Sequence, residues 1–119
     1  MAARLRSAGV ADADGFALNV SNFSTTEANV AYGRALSSAL GGAPFVIDTS
    51  RNGNGRGDDW CNPSGRAVGE RPTSSTGQAA VDAYLWLKRP GESDGTCNGG
   101  PPAGTFWAEY AIALVRTAG

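Results

Sequence analysis

The stretch YLWLKRPGESDGTC, residues 84–97, decides how the rest of the chain is interpreted. It opens with a short apolar run that has the length and composition of a buried β-strand. A proline–glycine turn then ends the strand. Lys88, Glu92 and Asp94 are therefore predicted to lie together at the carboxyl end of a strand, where parallel α/β folds place their chemistry.

Two interpretations of this charged cluster are open. A group of charges on a loop is as often a solvated surface as a functional site. The position directly after a strand favours a site, and so do the cations Lys88 and Arg89. A neighbouring cation keeps a carboxylate ionised, which leaves it usable as a base.

Two further strands are predicted upstream, at residues 16–20 and 45–47. The segment between them begins with a capping box, with Ser24 as the N-cap, and is predicted to be a helix. Its apolar stripe is expected to consist of Ala28, Tyr32, Leu36 and Leu40. A strand–helix–strand unit implies parallel strands joined by a right-handed crossover.

The predicted strands deliver polar side chains to one rim. Asn22 follows the first strand, and Asp48 and Arg51 follow the second. We predict that Asp48 and Arg51 form a supporting pair there, either as a structural salt bridge or with a direct role in the site. A short helical piece at 79–82 is expected before the third strand, and a final helix at 107–117.

Composition excludes several classes of function. The 119 residues carry a net charge of −1, which argues against nucleic-acid and anionic-membrane partners. No apolar run approaches the ~18–20 residues of a membrane span. Histidine is absent, so Ser–His–Asp and Cys–His catalysis and imidazole-dependent zinc sites are excluded within this chain. We expect neither a metal nor a cofactor.

Cys61 and Cys97 are the two cysteines, and their spacing leaves either a disulfide or two free thiols. We favour the disulfide, and with it an oxidising, extracellular setting. In the chain-entropy model such a bridge stabilises the fold by roughly 3–4 kcal/mol.

Trp60 lies in a long glycine-rich loop, residues 51–77. Loops of this length in compact domains are usually functional or disordered. A tryptophan beside a cysteine is by default part of a packing cluster. On a polar loop it can instead offer a flat surface to the apolar face of a sugar ring.

Four stretches resemble the C-terminal part of family 6 glycoside hydrolases, the inverting cellulases that include endoglucanases and cellobiohydrolases. They are FVIDTSRNGNG (45–55), DDWCNPSGRAVG (58–69), VDAYLWLKRPGESDGTC (81–97) and AGTFWAEYAIALVR (103–116). The resemblance implies an α/β fold, the C-terminal portion of a distorted TIM-like (β/α) barrel with about three parallel strands and flanking helices. Residues 1–119 would then be a C-terminal fragment of one catalytic domain, with the N-terminal half absent.

The resemblance also implies roles for individual residues. Asp94 matches the base-side carboxylate of an inverting mechanism, in which acid and base flank the scissile bond. Trp60 matches a sugar-stacking tryptophan, and Asn22, Lys88 and Glu92 match substrate-binding positions. The family's general acid is an aspartate for which no stretch of this chain provides a match.

These observations predict hydrolysis of β-1,4-glucosidic bonds in cellulose by a longer, secreted enzyme. The expected partners are cellulose or cello-oligosaccharides and the missing N-terminal half of the barrel. The chain alone is expected to be inactive, because it lacks the general acid. A non-catalytic glucan-binding module and an unstable truncated product are the alternatives.

Overall fold

The predicted strands form one parallel sheet. In the computed structural model, which describes residues 1–119, they are β1 (Phe16–Leu18), β2 (Phe45–Asp48) and β3 (Val81–Leu85). Their spatial order is β1-β2-β3, and both pairings are parallel. The predicted architecture of three parallel strands with flanking helices is confirmed.

Three α-helices accompany the sheet: α1 (Ala2–Ser7), α2 (Thr26–Ala39) and α3 (Ala108–Ala118). The first ends just before Gly9, which has a φ of 93°, a left-handed conformation that suits glycine. Two short 3₁₀ turns, Val10–Asp12 and Cys97–Gly99, complete the regular structure. No helix combines the length and apolar character that crossing a membrane requires.

The third strand differs from its prediction. It begins at Val81, within the segment predicted to be helical, and ends at Leu85. Val81 and Tyr84 are buried in the core, and their burial favours a strand at this position. β3 is also an edge strand, and its outer edge is partly covered by Thr73, which exchanges two backbone hydrogen bonds with Tyr84.

The cap and the buried face of α2 also differ from prediction. Thr25 is the N-cap, and its hydroxyl accepts a hydrogen bond from the Ala28 N–H at 3.2 Å. The Ser24 hydroxyl instead accepts from Arg56. The residues of α2 that are buried are Asn29, Val30, Gly33, Leu36 and Ser37.

Close approach of helix and sheet explains this rotation of α2. A Cβ atom on Gly33 would collide with the ring of Phe45 and with Leu18. The helix therefore presents its glycine to the sheet, and Tyr32, predicted to lie on the buried stripe, is 48% exposed.

The hydrophobic core lies between α2 and one face of the sheet. It consists of Val30, Phe45, Ile47, Val81 and Tyr84. Phe16 stacks on Phe45 with ring centroids 5.2 Å apart. The core places the carboxyl ends of the strands, and the loops that follow them, at one edge of the sheet.

The predicted disulfide between Cys61 and Cys97 is formed, with the two Cα atoms 6.2 Å apart. It joins the long glycine-rich loop to the loop that follows β3. These are the two loops that carry Trp60 and Asp94.

Candidate active site

Asp48, the last residue of β2, joins three backbone segments. Its side chain is fully buried and accepts hydrogen bonds from the N–H groups of Ser21, Ser50 and Lys88 at 2.9, 2.9 and 3.1 Å. The predicted pair with Arg51 is not formed, since the Asp48 carboxylate bonds to these backbone donors and Arg51 pairs with Asp94. Asp48 thereby ties the loop after β1 to the segment after β3.

Asp94 is the carboxylate at which the charges converge. Its Oδ2 lies 2.6 Å from Nη1 of Arg51, and its Oδ1 lies 3.2 Å from Nζ of Lys88. The backbone N–H of Asn62 also donates to Oδ2, at 2.9 Å. Burial alone would raise the pKa of Asp94, but Arg51, the Asn62 N–H and Lys88 outweigh it and hold the pKa below its usual range.

The two oxygens of Asp94 differ in what they can still accept. Two donors occupy Oδ2, whereas Lys88 is the single protein donor to Oδ1. A carboxylate oxygen offers about two lone pairs. Oδ1 therefore retains the capacity to accept a proton or a hydrogen bond from a water or a sugar.

Arg51 is almost completely buried, with 1% exposure, and three contacts hold it. Besides Asp94, its Nη2 donates to the carbonyl of Ser21 at 2.7 Å, and its Cζ lies 4.4 Å from the ring centroid of Phe23. Its Nε has no protein partner. The sequence had indicated neither Phe23 nor Ser21, because they meet Arg51 only through the folding of the β1–α2 connection.

A groove of about 410 Å³ brings most of the predicted residues together. Its lining includes Asn22, Arg51, Trp60, Lys88 and Asp94. The Trp60 side chain is 72% exposed, so it is not part of a packing cluster. An exposed indole and a buried carboxylate thus share one polar groove.

Glu92 is the predicted site residue that does not line this groove. It forms an exposed pair with Arg89, with 2.8 Å between Nη1 and Oε1. It directly follows the proline–glycine turn and is outside the lining of the groove. The clustering of Lys88 with Asp94 is as predicted, and Glu92 stands apart from it.

Asp59 and Asn62 flank the Trp60–Cys61 pair and were missed from the sequence. Asp59 accepts from the N–H groups of Trp60 and Cys61 at 2.7 and 3.2 Å. Asn98 donates to its other oxygen at 3.0 Å. These donors, the Cys61 N–H foremost, lower the pKa of Asp59. The motif Asp-Trp-Cys-Asn was visible, but its hydrogen bonds were not.

A larger cleft of about 720 Å³ lies between the long loop and α3. Its lining includes Asp58, Arg66, Trp107 and Tyr110, and it contains neither Trp60 nor Asp94. The Tyr110 hydroxyl is buried and donates to the carbonyl of Pro63 at 2.7 Å. Because this cleft contains neither the exposed tryptophan nor the buried carboxylate, the smaller groove is the better candidate site. No cluster of three or more His, Cys, Asp or Glu side chains is placed to hold a metal ion.

Comparison with known proteins identifies the family of the chain. Residues 1–118 match the family described as glycosyl hydrolases family 6. Endoglucanase A of Cellulomonas fimi is 56% identical over 115 residues. The structure of an endoglucanase from Mycobacterium tuberculosis, solved with methyl-cellobiosyl-4-deoxy-4-thio-β-D-cellobioside, superposes with a TM-score of 0.93 at 57% identity over 98% of this chain. The structure of cellobiohydrolase II of Humicola insolens, solved with glucose and cellotetraose, superposes with a TM-score of 0.79 at 30% identity over 98% of this chain.

The chain spans only part of these relatives. The match with the Cellulomonas fimi endoglucanase covers 97% of this chain but only 26% of that protein. This chain covers 42% of the Mycobacterium tuberculosis chain and 44% of the Humicola insolens chain. The three parallel strands correspond to a portion of the distorted (β/α) barrel of these cellulases. On the match over residues 1–118 and these identities, the chain belongs to glycosyl hydrolase family 6.

Proposed function

We propose that this chain supplies the sugar-binding floor and the base-side carboxylate for inverting hydrolysis of β-1,4-glucosidic bonds in cellulose. It would do so as one portion of a longer family 6 catalytic domain. The observation that carries the proposal is the convergence of Trp60 and Asp94 on a single groove. The names of its relatives, endoglucanases and cellobiohydrolases, support the same substrate class.

Inversion needs an acid on one side of the scissile bond and a base on the other, about 6.5–9.5 Å apart with a water between. Asp94 is the proposed base-side group, acting through Oδ1. Its low pKa makes it a weak base, since efficient bases have a pKa near the working pH. Proton acceptance relayed through a water suits this carboxylate better than direct abstraction.

The other groove residues have proposed roles in binding and support. Trp60 would stack against the apolar face of a glucose ring. Asn22 and Lys88 would hydrogen-bond sugar hydroxyls, and Glu92 would do so from the rim. Asp48 would hold the strand ends in register, and Arg51 would hold Asp94.

The proposed general acid is outside this chain. Loss of a general acid commonly costs a factor of about 10²–10⁴ in rate. We therefore propose that the isolated chain is inactive and that its protein partner is the remainder of the barrel. The disulfide supports an extracellular location for the enzyme.

Calorimetric titration of the chain with cellotetraose tests the proposal, together with turnover of a soluble cellulose derivative. We expect measurable binding, no turnover by the chain alone, and turnover after mixing with the complementary N-terminal portion of the Mycobacterium tuberculosis endoglucanase. Trp60→Ala should weaken binding by about tenfold, the equivalent of about 1.4 kcal/mol. The matched control is Phe106→Ala, because Phe106 is similarly exposed, at 67%, but does not line the groove.

The outcomes separate the proposal from its alternatives. Binding that never leads to turnover, even after mixing, would favour a non-catalytic glucan-binding module. Absence of a cooperative unfolding transition would favour an unstable truncated product. Equal binding by the Trp60 and Phe106 variants would refute the assignment of the groove.

A further inference from the structure

Asn62 lies against the backbone of Asp94 and is almost completely buried, with 3% exposure. We propose that Asn62 is a positioning residue that sets the orientation of the Asp94 carboxylate. The inference rests on the proposed function, in which Asp94 is the base-side group.

Two reciprocal hydrogen bonds join the residues. The backbone N–H of Asn62 donates to Asp94 Oδ2 at 2.9 Å. In return, the backbone N–H of Asp94 donates to Asn62 Oδ1 at 2.8 Å. One bond holds the carboxylate and the other holds the backbone from which it projects, so both ends of the Asp94 side chain are fixed.

The amide nitrogen of Asn62 organises the rest of the Asp94 loop. Its Nδ2 lies 2.9 Å from the carbonyl oxygen of Gly95, 3.0 Å from that of Cys97 and 3.2 Å from Oγ of Ser93. Two of these three neighbours are carbonyl oxygens, which can only accept. Of the side chains of this size, only an amide offers an acceptor to the Asp94 N–H and a donor to these oxygens at once.

The backbone conformation of Asn62 supports a special role. Its φ is 48°, in the left-handed region that asparagine tolerates better than most residues. This conformation follows Cys61, so the disulfide fixes one side of the turn while Asn62 bonds to the other loop. A residue that pays conformational strain for contacts with a site loop is typical of functional regions.

The consequence for Asp94 concerns which of its oxygens is available. The Asn62 N–H and Arg51 Nη1 together occupy Oδ2, which leaves Oδ1 for Lys88 and for a substrate or water. Without the amide of Asn62 the Asp94 loop is free to shift, and the carboxylate can rotate between Arg51 and Lys88. The charged groups facing Asp94 are these two cations, and Tyr110 also senses its charge.

Two substitutions distinguish the contribution of the Asn62 side chain from that of its backbone N–H. Asn62→Gly suits the positive φ and keeps the N–H to Oδ2, but removes the amide. Asn62→Asp keeps an acceptor for the Asp94 N–H, but replaces the donor with a negative charge. Asn54→Gly is the matched control, because the exposed Asn54 side chain bonds only to the Gly65 carbonyl, away from Asp94.

Titration of the Asp94 carboxyl by ¹³C NMR in the full oxidised chain is the test. We expect Asn62→Asp to raise the pKa of Asp94 by about one unit, because the introduced negative charge lies next to the Asp94 carboxylate and disfavours its ionised form. Asn62→Gly should raise it less and change the carboxyl chemical shift. Asn54→Gly should leave both unchanged. Wild-type titration in both Asn62 variants would overturn the proposal.

A second measurement needs no variant. In the wild-type chain, slow hydrogen exchange is expected for the Asp94 and Asn62 amides, since each donates to the other residue. Exchange as fast as in the exposed loop around Asn54 would overturn the proposal even if the variants failed to fold. Because neither readout uses sugar, a chain with the expected NMR result but no cellotetraose binding would leave the positioning role intact and refute the proposed function.

Discussion

Arg51 and Asp94 illustrate how position within the fold decides the value of an ion pair. Their side chains are 1% and 8% exposed, whereas the second arginine–carboxylate pair, Arg89–Glu92, involves an arginine that is 82% exposed. Removing one member of a buried pair leaves an uncompensated charge, but an exposed pair contributes little. Two arginine–carboxylate pairs therefore have different consequences because one is buried and the other involves an exposed arginine.

Arg51→Met is expected to lower the free energy of unfolding by about 3 kcal/mol at pH 7. The folded-state pKa of Asp94 is lowered, so the stability it contributes is present above its unfolded-state pKa and is lost as the pH falls through the folded value. The deficit of the variant should therefore shrink at pH 3. Urea unfolding of wild type and variant at both pH values measures this difference in the free energy of unfolding. Arg89→Met is the control and is expected to cost less than about 1 kcal/mol.

Asp59 is expected to hold the sugar platform by accepting from the Trp60 and Cys61 N–H groups. Asp59→Ala should weaken cellotetraose binding severalfold with little change in thermal stability. Its neighbour Asp58→Ala provides the control. Because the pKa of Asp59 is lowered, wild-type binding should not weaken through protonation of Asp59 until the pH is below the ordinary aspartate range. Equal binding by both variants would contradict this role.

At the scale of elements, the packing of α2 against the sheet is set by its smallest residue. Gly33 lies against Phe45 and Leu18, and its lack of a side chain lets the helix approach. The polar residues Asn29 and Ser37 share this buried face with Leu36, which is why apolar periodicity alone predicted Leu36 correctly but also placed the exposed Ala28 and Tyr32 on it. Steric fit, and not hydrophobicity, orients the helix.

Gly33→Ala is expected to destabilise the fold by about 1–3 kcal/mol through overpacking, despite the gain of about 1 kcal/mol in helix propensity. Ser38→Ala, at an exposed position of the same helix, should be neutral or slightly stabilising. Thermal and urea unfolding of the two variants distinguish them. A more stable Gly33→Ala variant would mean that α2 can shift away from Phe45.

The N-cap of α2 offers a second prediction at this scale. Thr25→Ala removes the acceptor for the Ala28 N–H and should cost about 1 kcal/mol. Ser24→Ala, which removes only an exposed contact with Arg56, should cost less. Urea unfolding curves compare the two variants, and the reverse order would support the Ser24 cap that the sequence had indicated.

At the scale of the molecule, two loops far apart in sequence form one site because the disulfide joins them. Cys61 and Cys97 are 36 positions apart, and the bridge places Trp60 and Asp94 on the same groove. The sheet has a free edge at β1. This strand pairs with β2 alone, so its other edge is available for a further strand. This edge is consistent with the proposal that the chain is completed by the rest of a barrel.

Reduction of the disulfide is expected to lower the free energy of unfolding by roughly 3–4 kcal/mol. It should also weaken cellotetraose binding, because the Trp60 and Asp94 loops lose their link. Urea unfolding and calorimetry with and without reductant provide the measurement. The control is the Cys61→Ser, Cys97→Ser double variant, in which reductant should have no effect. An unchanged unfolding midpoint in the wild type would contradict the expected stabilisation.

The sequence by itself determined the parallel α/β class, favoured the cysteine bridge over two free thiols, and placed Lys88 near Asp94. These predictions depend on local features: strand-length apolar runs, the turn after the third strand and the motifs around Trp60. Local features can be recognised in a sequence without coordinates. Long ordered resemblance then linked them to one family. The type of each secondary-structure element, and the position of a residue along it, were therefore largely predictable.

Only the tertiary structure decided which residues are in contact with one another. Arg51 pairs with Asp94 and not with the nearby Asp48, whose carboxylate accepts from backbone N–H groups of three segments. Asn62 and Asp59 make their contacts in the same way, through hydrogen bonds between the two disulfide-linked loops. Such pairings depend on distances between residues remote in sequence, and local pattern carries no information about those distances.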